Sequence, residues 1–416
     1  MPIKDRLSGD EKTDEETPHM RIAITGASGF VGVALVEHLA CRHDIVILGR
    51  DQKRLSAQFD GRFQAFAYEA AGEAFKEVDA VIHLAAALPG TLRTAEEYVA
   101  ANTALSVELG KTALKEHVSI FVNAATLGWN RNAYTSSKLA AEKELNLLVG
   151  LKVAHVRLPI VYSSKFRGRL AVLNKVPAPL RGLAFQALAA LRPTVSLDRV
   201  CHAMEAVCND GESGEILVSD RQEGNRVYGG VRFIIDYAFA LSIILLFWWL
   251  LLLIYLAVRI DNNGPGIFAQ QRVGKHRKLF TLYKFRSMSV GTEIAGTHEV
   301  SDSAVTRVGG FLRRTKLDEL PQVINILRRE ISLIGPRPCL PVQVELVEAR
   351  TARGVYAVLP GITGRSQIDG IDMSDPKQLA RSDERSIAER NLVSDLKIII
   401  QTFLGRGQGD RVARGT

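Results

Sequence analysis

One segment of the chain is apolar over a length that a globular core rarely needs. Between Phe233 and Val258 the only polar interruptions are Asp236 and Ser242. A helix of this length, rising about 1.5 Å per residue, spans the roughly 30 Å hydrocarbon core of a bilayer. A buried core helix is the alternative, but soluble helices seldom stay apolar on every face for so long. The segment therefore predicts a membrane helix.

Basic residues lie on both sides of this segment. They are Arg221, Arg226 and Arg232 before it, and Arg259, Arg272, Lys275, Arg277 and Lys278 after it. Positive charge favours the cytoplasmic side of a membrane. Both ends are therefore predicted to stay cytoplasmic, with the helix entering and leaving the same leaflet. A straight spanning helix is the alternative, since no proline interrupts the segment to bend it.

A second constraint is the acid pair Asp318-Glu319, which lies between two arginine-containing turns. Arg313 and Arg314 precede the pair, and Arg337 follows it between two prolines. One acid of such a pair can attack or bind metal, while guanidiniums carry the charge that develops on phosphoryl oxygens. The pattern thus suits chemistry at a metal-bound phosphate. The alternative is the start of a surface helix with capping acids and salt bridges.

The run around this pair, residues 312–338, closely resembles the signature of bacterial sugar transferases. These membrane enzymes move a sugar-1-phosphate from a nucleotide sugar onto a polyprenyl phosphate. Further blocks resemble the family in the family's order: 264–268 (GPGIF), 271–274 (QRVG), 284–288 (KFRSM), 360–364 (PGITG) and 395–398 (DLKI) with Thr402. The resemblance covers residues 231–404.

This resemblance implies a covalent mechanism. Asp318 would be the nucleophile that forms a phosphosugar–aspartate intermediate, and Glu319 would help to hold Mg²⁺, with both acids as metal ligands. The donor would be a UDP-sugar and the acceptor undecaprenyl phosphate, with ping-pong kinetics. The basic residues expected to bind substrate phosphates are Arg272, Lys284, Arg286, Arg313, Arg314 and Arg337.

The chain departs from the family pattern at two places near the expected substrate. Lys316 stands where a small hydroxyl residue is usual, and residues 365–371 (RSQIDGI) replace the family's WAQVNGR. The identity of the sugar therefore does not carry over from the family.

A third feature is a glycine-rich turn between a short apolar strand, 21–24, and a helix, 33–40. Glycines at this spacing let the backbone approach a pyrophosphate at a helix N-terminus. The residues expected to bind the cofactor are Gly26, Ser28, Gly29, Phe30, Val31 and Gly32. A second strand, 44–48, ends just before Arg50, which could pair with a 2′-phosphate and so favours NADP(H) over NAD(H). A solvated loop charge is the alternative for Arg50.

The blocks that follow resemble the extended short-chain dehydrogenase/reductase family, the NAD-dependent epimerase/dehydratase-like enzymes. They are 78–86 (VDAVIHLAA), which places Ala85 at the cofactor, Asn102, 134–138 (YTSSK) and 157–162 (RLPIVY). Tyr134 and Lys138 share a helix face, so Lys138 is expected to lower the pKa of the phenol. Thr126 would polarise the substrate oxygen. Only eight positions separate Thr126 from Tyr134, so an active enzyme and a binding domain both stay open.

Composition fits a membrane-associated cytoplasmic protein. The net charge is +8, and the basic residues crowd beside the apolar segment, where lipid headgroups and phosphorylated substrates are simpler partners than nucleic acid. Four scattered cysteines suit a reducing compartment. The first nineteen residues are polar and acid-rich, as in a disordered tail. Dehydrogenases of this type often pair, so a homodimer is expected.

Together these features predict an α/β chain: a Rossmann-like doubly wound parallel sheet, then a membrane-inserted, re-entrant helix, then a small, mainly helical phosphoglycosyl transferase domain. The predicted divisions are residues 1–19, 20–225, 226–260 and 261–416. The predicted function is initiation of surface-glycan synthesis on the cytoplasmic face of a bacterial inner membrane, with NAD(P)-dependent redox or epimerisation of the UDP-sugar by the first domain. Two alternatives are a transferase with a non-catalytic N-terminal domain, and a dehydrogenase whose C-terminal half is only an anchor.

Overall fold

The computed structural model describes residues 18–92, 94–127, 132–262, 264–291 and 305–406, so most of the predicted N-terminal tail lies outside it. The chain divides into two compact units. The first takes in residues up to Arg181 together with Pro193–Asp220, and the second takes in Gly182–Arg192 and everything from Arg221 onward.

The first unit is built on a parallel sheet. Its strands are β1 (Arg21–Thr25), β2 (Asp44–Gly49), β3 (Gln64–Ala67), β4 (Ala80–His83), β5 (Ile120–Thr126), β6 (Val153–Leu158), β7 (Ile160–Tyr162), β8 (Thr194–Ser196) and β9 (Gly214–Leu217). Seven of them pair in the order β3-β2-β1-β4-β5-β6-β9, and β7 pairs with β8 separately. β1, β2 and β4 are apolar in continuous runs because helices cover both faces of the sheet.

Helices lie on both faces of this sheet. They are α1 (Phe30–Leu39), α2 (Gln52–Gln58), α3 (Ala71–Ala74), α4 (Ala95–Tyr98), α5 (Leu105–Lys115), α6 (Ala133–Asn146) and α8 (Leu197–Asp210), with a π-helical turn at Val99–Ala104 and 3-10 turns at Tyr68–Ala70 and Gly168–Lys175. Between α6 and α8 in the chain comes α7 (Ala178–Leu191), most of which belongs to the second unit. One apolar core lies under α1 and α8, and another lies under α3 and α5. The prediction of a doubly wound parallel sheet is confirmed. Because the strand order reverses between β1 and β4, this topology predicts a ligand crevice at the carboxyl ends of these strands.

The second unit is mainly helical. Its helices are α9 (Arg226–Asn262), α10 (Arg307–Thr315), α11 (Val323–Leu327), α12 (Val344–Ala352), α13 (Arg365–Ile368), α14 (Pro376–Ala388) and α15 (Leu392–Phe403), with 3-10 turns at Lys275–Arg277, Leu317–Gln322 and Val355–Ala357. Two small sheets complete it: β10 (Ile267–Val273) with β11 (Leu279–Phe285), antiparallel, and β12 (Ser332–Ile334) with β13 (Gly361–Thr363), parallel.

The predicted membrane helix forms the middle of α9. Within the described ranges α9 alone is both long enough and apolar enough to cross a membrane, and only 11% of its most apolar stretch is buried. The exposed side chains include Leu245, Leu246 and Trp248. A core helix would be mostly buried, so this alternative is excluded. The backbone leaves helical geometry at Phe247, where φ is −118° and ψ is 17°.

Both halves of α9 pack against the same β-hairpin. Ala240, before the irregularity at Phe247, lies in a buried cluster with Phe280 of β11. Val258, after it, lies in a second cluster with Phe285 of the same strand. The two halves of the helix are therefore held on one body.

Candidate active sites

The glycine turn after β1 is held tightly against the end of β4. Gly26 has a φ of +70°, and a Cβ placed on it would lie 2.7 Å from the backbone nitrogen of Ala85. A Cβ on Gly32 would lie 2.3 Å from the carbonyl oxygen of Gly26. The turn therefore needs glycine at both positions, and it brings the predicted residue Ala85 beside the start of α1.

The first turn of α1 offers backbone donors at this edge of the sheet. The helix begins at Phe30 after an N-cap at Gly29, so the N–H groups of the predicted residues Phe30, Val31 and Gly32 lie in its first turn. Ser28 and Gly29 are exposed in front of it. No acidic side chain lies in this turn, so its positive helix end is open to an anionic group.

Arg50 lies at the end of the neighbouring strand. It is exposed after β2. Burial raises the pKa of Tyr68, and the positive charge of Arg50 offsets part of that rise. The guanidinium is thus near the cofactor edge of the sheet, where it could meet a ribose or its phosphate.

Tyr134 and Lys138 lie on α6, next to Thr126 at the end of β5. The Nζ of Lys138 donates to the carbonyl oxygen of Ala124 at 3.1 Å. Burial lowers the pKa of Lys138 to about 8. The pKa of Tyr134 is raised by burial and by the neighbouring Tyr98, whose ring meets it edge-on at 6.3 Å. Lys138 is not among the causes of this shift, and the lowering of the phenol pKa by Lys138 stays a prediction.

Asn102 connects α6 to the segment that follows β4. Its Oδ1 accepts from the N–H of Ala87 at 2.7 Å, and its Nδ2 donates to Ser137 Oγ at 3.0 Å. Asn102 is fully buried within a π-helical turn, a local widening that often marks functional sites. The side chain thus fixes the spacing between the segment after β4 and the Tyr134 helix.

Sequence reasoning assigned no role to His83, which is fully buried at the end of β4. Its ring nitrogens are hydrogen-bonded to Thr25 Oγ1 at 2.7 Å and to Ser106 Oγ at 2.8 Å. Burial and the charge of Lys138 lower the pKa of His83 to about 3, so the ring is neutral at physiological pH. It ties the β1 end to β4 and α5. The family-like run of residues 83–86 (HLAA) was the sequence signal that could have pointed to His83.

In the second unit, the acid pair follows the end of α10. Lys316 ends that helix in the left-handed conformation, with a φ of +59°, and a 3-10 turn begins at Leu317. This turn buries Asp318 to 9% exposure and directs Glu319 inward, to 13% side-chain exposure. The change of direction at Lys316 therefore places two adjacent carboxyls inside the unit.

Two predicted cations meet one of these acids. Lys284 Nζ donates to Glu319 Oε1 at 3.0 Å, and Arg337 Nη1 donates to the same oxygen at 3.3 Å. Burial alone would raise the pKa of Glu319, but these two cations outweigh it and hold that pKa well below its usual value. Burial and the Glu319 charge raise the pKa of Asp318 to about 6. The pair therefore has one fixed anion and one acid that titrates close to neutrality.

The other predicted phosphate-binding residues fall into two groups. Arg313 is half-buried, and its charge offsets part of the rise in the pKa of Asp318. Arg314 is exposed. Arg272 Nη1 donates to the carbonyl of Pro338 at 3.1 Å, and Arg286 Nε donates to the carbonyl of Pro265 at 2.9 Å. Arg272 and Arg286 thus support the proline turns beside the site.

A cavity of about 540 Å³ opens next to Arg337. Its lining includes Gly364, Ser366, Gln367 and Asp383. Cavities of this size suit small organic ligands. Residues 365–371, where the chain departs from the family pattern, form part of this wall.

A buried ion pair, which sequence reasoning missed, supports the wall of this cavity. Arg350 donates to Asp383 Oδ2 through Nε at 2.9 Å and through Nη2 at 2.6 Å. Its Nη1 donates to the carbonyl of Arg337 at 2.8 Å. The pair therefore fixes the backbone that carries one of the two cations at Glu319.

These features define a dinucleotide-binding α/β unit joined to a unit with a membrane helix and a buried acid pair. Comparison with known families agrees. The model of the bacterial sugar transferase family matches residues 227–407, and that of the NAD dependent epimerase/dehydratase family matches residues 22–218. The chain belongs to the bacterial sugar transferase family and carries an N-terminal domain of the epimerase/dehydratase kind.

Individual relatives match the C-terminal part. A putative undecaprenyl-phosphate N-acetylgalactosaminyl 1-phosphate transferase of Bacillus subtilis (strain 168) is 37% identical over 140 residues, which are 33% of this chain and 74% of that protein. The UDP-glucose:undecaprenyl-phosphate glucose-1-phosphate transferase of Escherichia coli (strain K12) is 38% identical over 178 residues, which are 40% of this chain and 38% of that protein. The chain thus spans less than half the length of several relatives that it matches.

Among solved structures, the Bordetella bronchiseptica enzyme WbmG in complex with NAD is 21% identical, with a TM-score of 0.42. The match covers 54% of this chain and 80% of that one. This superposition is too loose to support an inference about function.

Proposed function

We propose that the C-terminal unit transfers a sugar-1-phosphate from a UDP-sugar to undecaprenyl phosphate through a covalent intermediate on Asp318. The observation that carries the proposal is the buried acid pair, in which Lys284 and Arg337 both bind Glu319 and leave Asp318 as the adjacent titrating acid. An anchor would need no such arrangement. The names of the relatives, which specify undecaprenyl phosphate and in one case UDP-glucose, support the choice of substrates.

The proposed reaction has two balanced steps. In the first, a carboxylate oxygen of Asp318 attacks the sugar-bearing phosphorus, and the bond from that phosphorus to UMP breaks, so UMP leaves with the bonding electrons. In the second, a phosphate oxygen of the polyprenyl phosphate attacks the same phosphorus, and the bond to Asp318 breaks. Arg337 and Arg313 are placed to stabilise negative charge near Asp318.

The acid pair also fits a magnesium ion. Both cations bind the same oxygen of Glu319, so its other oxygen and the carboxylate of Asp318 are the ligands available to the metal. Carboxylate oxygens are the ligands Mg²⁺ prefers. When bound there, the ion would neutralise charge on the diphosphate and on the departing UMP.

We further propose that the N-terminal unit modifies the UDP-sugar before transfer. When bound, NAD(P)H would supply a hydride to the sugar. Tyr134 would exchange a proton with the sugar oxygen, Thr126 would hold that oxygen, and Lys138 would bind the cofactor ribose. Reduction of a 4-keto-6-deoxy sugar nucleotide, followed by transfer of the resulting sugar phosphate, is the pairing proposed here. The tight glycine turn and the intact Tyr134-Lys138 spacing support it.

The test is UMP release from a panel of UDP-sugars by the detergent-solubilised chain with undecaprenyl phosphate and Mg²⁺, with and without NADPH. We expect a 4-keto sugar nucleotide to become a better donor only with NADPH. Tyr134→Phe should remove the NADPH effect and leave transfer of other sugars intact, because the two sites lie in different units. If no UDP-sugar releases UMP under any condition, the transferase proposal fails.

A second candidate is a transferase whose N-terminal unit binds a nucleotide or nucleotide sugar without turnover. The raised pKa of Tyr134 favours it, since a proton-transfer catalyst usually has a pKa nearer the working pH. Tight NADPH binding with no effect on UMP release from any donor would establish a binding unit and exclude modification of the sugar before transfer.

We propose that α9 is re-entrant and that both catalytic units face the cytoplasm. Asp236 Oδ1 accepts from the N–H of Leu333 at 2.8 Å, and Asp261 Oδ2 accepts from the N–H of Val308 at 3.1 Å. Polar contacts thus tie both ends of the helix to one unit, and the irregularity at Phe247 provides the bend. A helix whose two ends lie on one side of a bilayer must leave by the leaflet it entered.

Cysteine labelling checks this topology in a Cys41→Ser background. We expect Glu223→Cys and Lys278→Cys, exposed positions before and after the apolar stretch, to resist a membrane-impermeant maleimide in intact spheroplasts. Both should react in inside-out vesicles. Trp248→Cys at the apolar tip should react only after detergent is added. Reaction of Lys278→Cys alone from outside would show a spanning helix.

A further inference from the structure

The C-terminal part of α7 exposes an apolar face. Leu183, Leu188 and Leu191 are 59%, 37% and 45% exposed, and Ala187 is exposed between them. At 100° per residue, positions 183, 187, 188 and 191 share one side of a helix. These four residues are called the α7 face below. Exposure of this face to water is unfavourable, because removing each leucine side chain from water would lower the free energy.

The opposite side of the same helix is fixed to the root of the membrane helix. Ala189 lies opposite the α7 face and Ala190 lies at its edge next to Leu183, and both are buried. Gln222 Nε2 donates to the carbonyl of Ala189 at 2.7 Å, and Asn225 Nδ2 donates to the carbonyl of Gln186 at 2.8 Å. Asn225 directly precedes α9, so the α7 face is held beside the point where the chain turns toward the membrane.

The charges around the face suit a lipid surface. Arg192 at the end of α7 and Arg226 at the start of α9 are both exposed. An apolar helix face bordered by arginines is the pattern of helices that lie in the interface between headgroups and acyl chains. Anionic headgroups attract such arginines when they lie within a Debye length of the surface.

The extent of the face argues against a protein partner. Three leucines and one alanine expose far less than the roughly 1,000 Å² that a stable protein interface buries. A lipid surface needs no such area here, because α9 already holds the chain at the membrane and makes the second contact intramolecular. The occupant that fits the face is therefore the membrane that α9 enters.

We propose that the α7 face lies in the membrane interface, in contact with the lipids of the leaflet that α9 enters. The inference rests on the proposed membrane insertion of α9. It adds a second lipid contact outside the sugar transferase signature, made by Gly182–Arg192, a segment of the second unit that precedes α9 in the chain.

Lipid quenching tests the proposal on the full-length chain in nanodiscs of phosphatidylcholine and phosphatidylglycerol. In a Cys41→Ser background, the remaining cysteines are buried, so Leu188→Cys, Trp248→Cys and Val149→Cys can each be labelled singly with a polarity-sensitive fluorophore. Trp248 marks the apolar tip of α9, and Val149, 91% exposed in the first unit, is the control. Brominated phospholipids then report direct lipid contact.

We expect at least twofold quenching at Leu188→Cys and Trp248→Cys, and little at Val149→Cys. Quenching at Trp248→Cys without quenching at Leu188→Cys would overturn the α7 proposal and leave the insertion of α9 standing. Blue-shifted emission at Leu188→Cys that brominated lipid does not quench would show a protein on the face, and would also overturn it. Absence of quenching at both sites would refute the insertion of α9 itself, and the α7 proposal with it.

Discussion

Replacement of Asp318 by asparagine is expected to abolish UMP release and, at the same time, to stabilise the protein near neutral pH. The amide cannot form the acyl phosphate, so the rate should fall by ~10³-fold or more, as when a covalent nucleophile is removed. Stability should rise because burial and Glu319 raise the pKa of Asp318 to about 6, above its ordinary value of 3.8. Keeping this acid ionised at pH 7.5 therefore weakens the fold.

The direction of the pH effect follows from linkage. A carboxyl with a raised folded-state pKa favours folding below its unfolded pKa, and that contribution disappears as the pH rises through about 6. Asp318→Asn should thus differ little from wild type at pH 4 and be more stable by roughly 1 to 3 kcal/mol at pH 7.5. Urea unfolding at the two pH values, together with the UMP assay, measures both effects. Retained UMP release, or a stability difference that shrinks as the pH rises, would refute the assignment.

Glu319→Gln is the matched control, because it changes the adjacent acid in the same way. Lys284 and Arg337 hold the pKa of Glu319 below its usual value, so its carboxylate stabilises the fold at neutral pH and loses that effect as the pH falls. The glutamine variant would leave two cations without their anion. It should therefore be less stable than wild type at pH 7.5, the opposite of the asparagine variant.

The fold of the N-terminal half could be predicted from its sequence because the signals are local. Strands such as β1 and β4 are continuous apolar runs, and the turn at Gly26 needs a residue without a side chain. The break in α9 at Phe247 had no such signal, since neither proline nor glycine lies there. Both halves of the helix pack on β11 where the bend occurs. Contacts between residues far apart in the chain have no local sequence pattern, so the bend could not be predicted.

The candidate sites could be predicted only in part, for a related reason. Asp318 and Glu319 are neighbours in the chain, so their proximity was certain, but which arginines would reach them depended on the path of the whole unit. Arg337 reaches Glu319, whereas Arg272 and Arg286 bind backbone carbonyls. A guanidinium has the same signature in either role, so sequence could not separate them.

Replacement of Lys138 by methionine is expected to remove every effect of NADPH on sugar transfer while stabilising the first unit below pH 8. The Lys138 ammonium is fully buried, with Nζ on the carbonyl of Ala124, where it would hold the cofactor ribose. Burial lowers its pKa to about 8 from an ordinary value of 10.5. At neutral pH the folded protein therefore keeps a charge in a place that disfavours it, and a methionine of similar shape removes that charge.

The sign of this effect differs from that at Asp318. Between pH 8 and 10.5 the unfolded chain holds the proton and the folded chain does not, so wild-type stability should rise with pH across that window. Lys138→Met should be more stable by roughly 1 to 3 kcal/mol at pH 7. Its lead should vanish by pH 10.5, where the lost hydrogen bond, worth about 1 kcal/mol, leaves it slightly weaker. Hydrogen exchange in β5 and α6 assigns the change to the first unit.

Lys143→Met on the same helix provides the control, because Lys143 is exposed and its loss should change neither stability nor the NADPH effect. A Lys138→Met protein that is destabilised at pH 7 would show that the ammonium serves the fold and not a bound cofactor. Stabilisation together with loss of the NADPH effect would show that Lys138, like Asp318, serves function at a cost to stability. Each unit would then maintain, at a measurable cost to its own stability, one buried ionisable group whose pKa lies close to the working pH. Proteins retain such groups mainly where chemistry needs them.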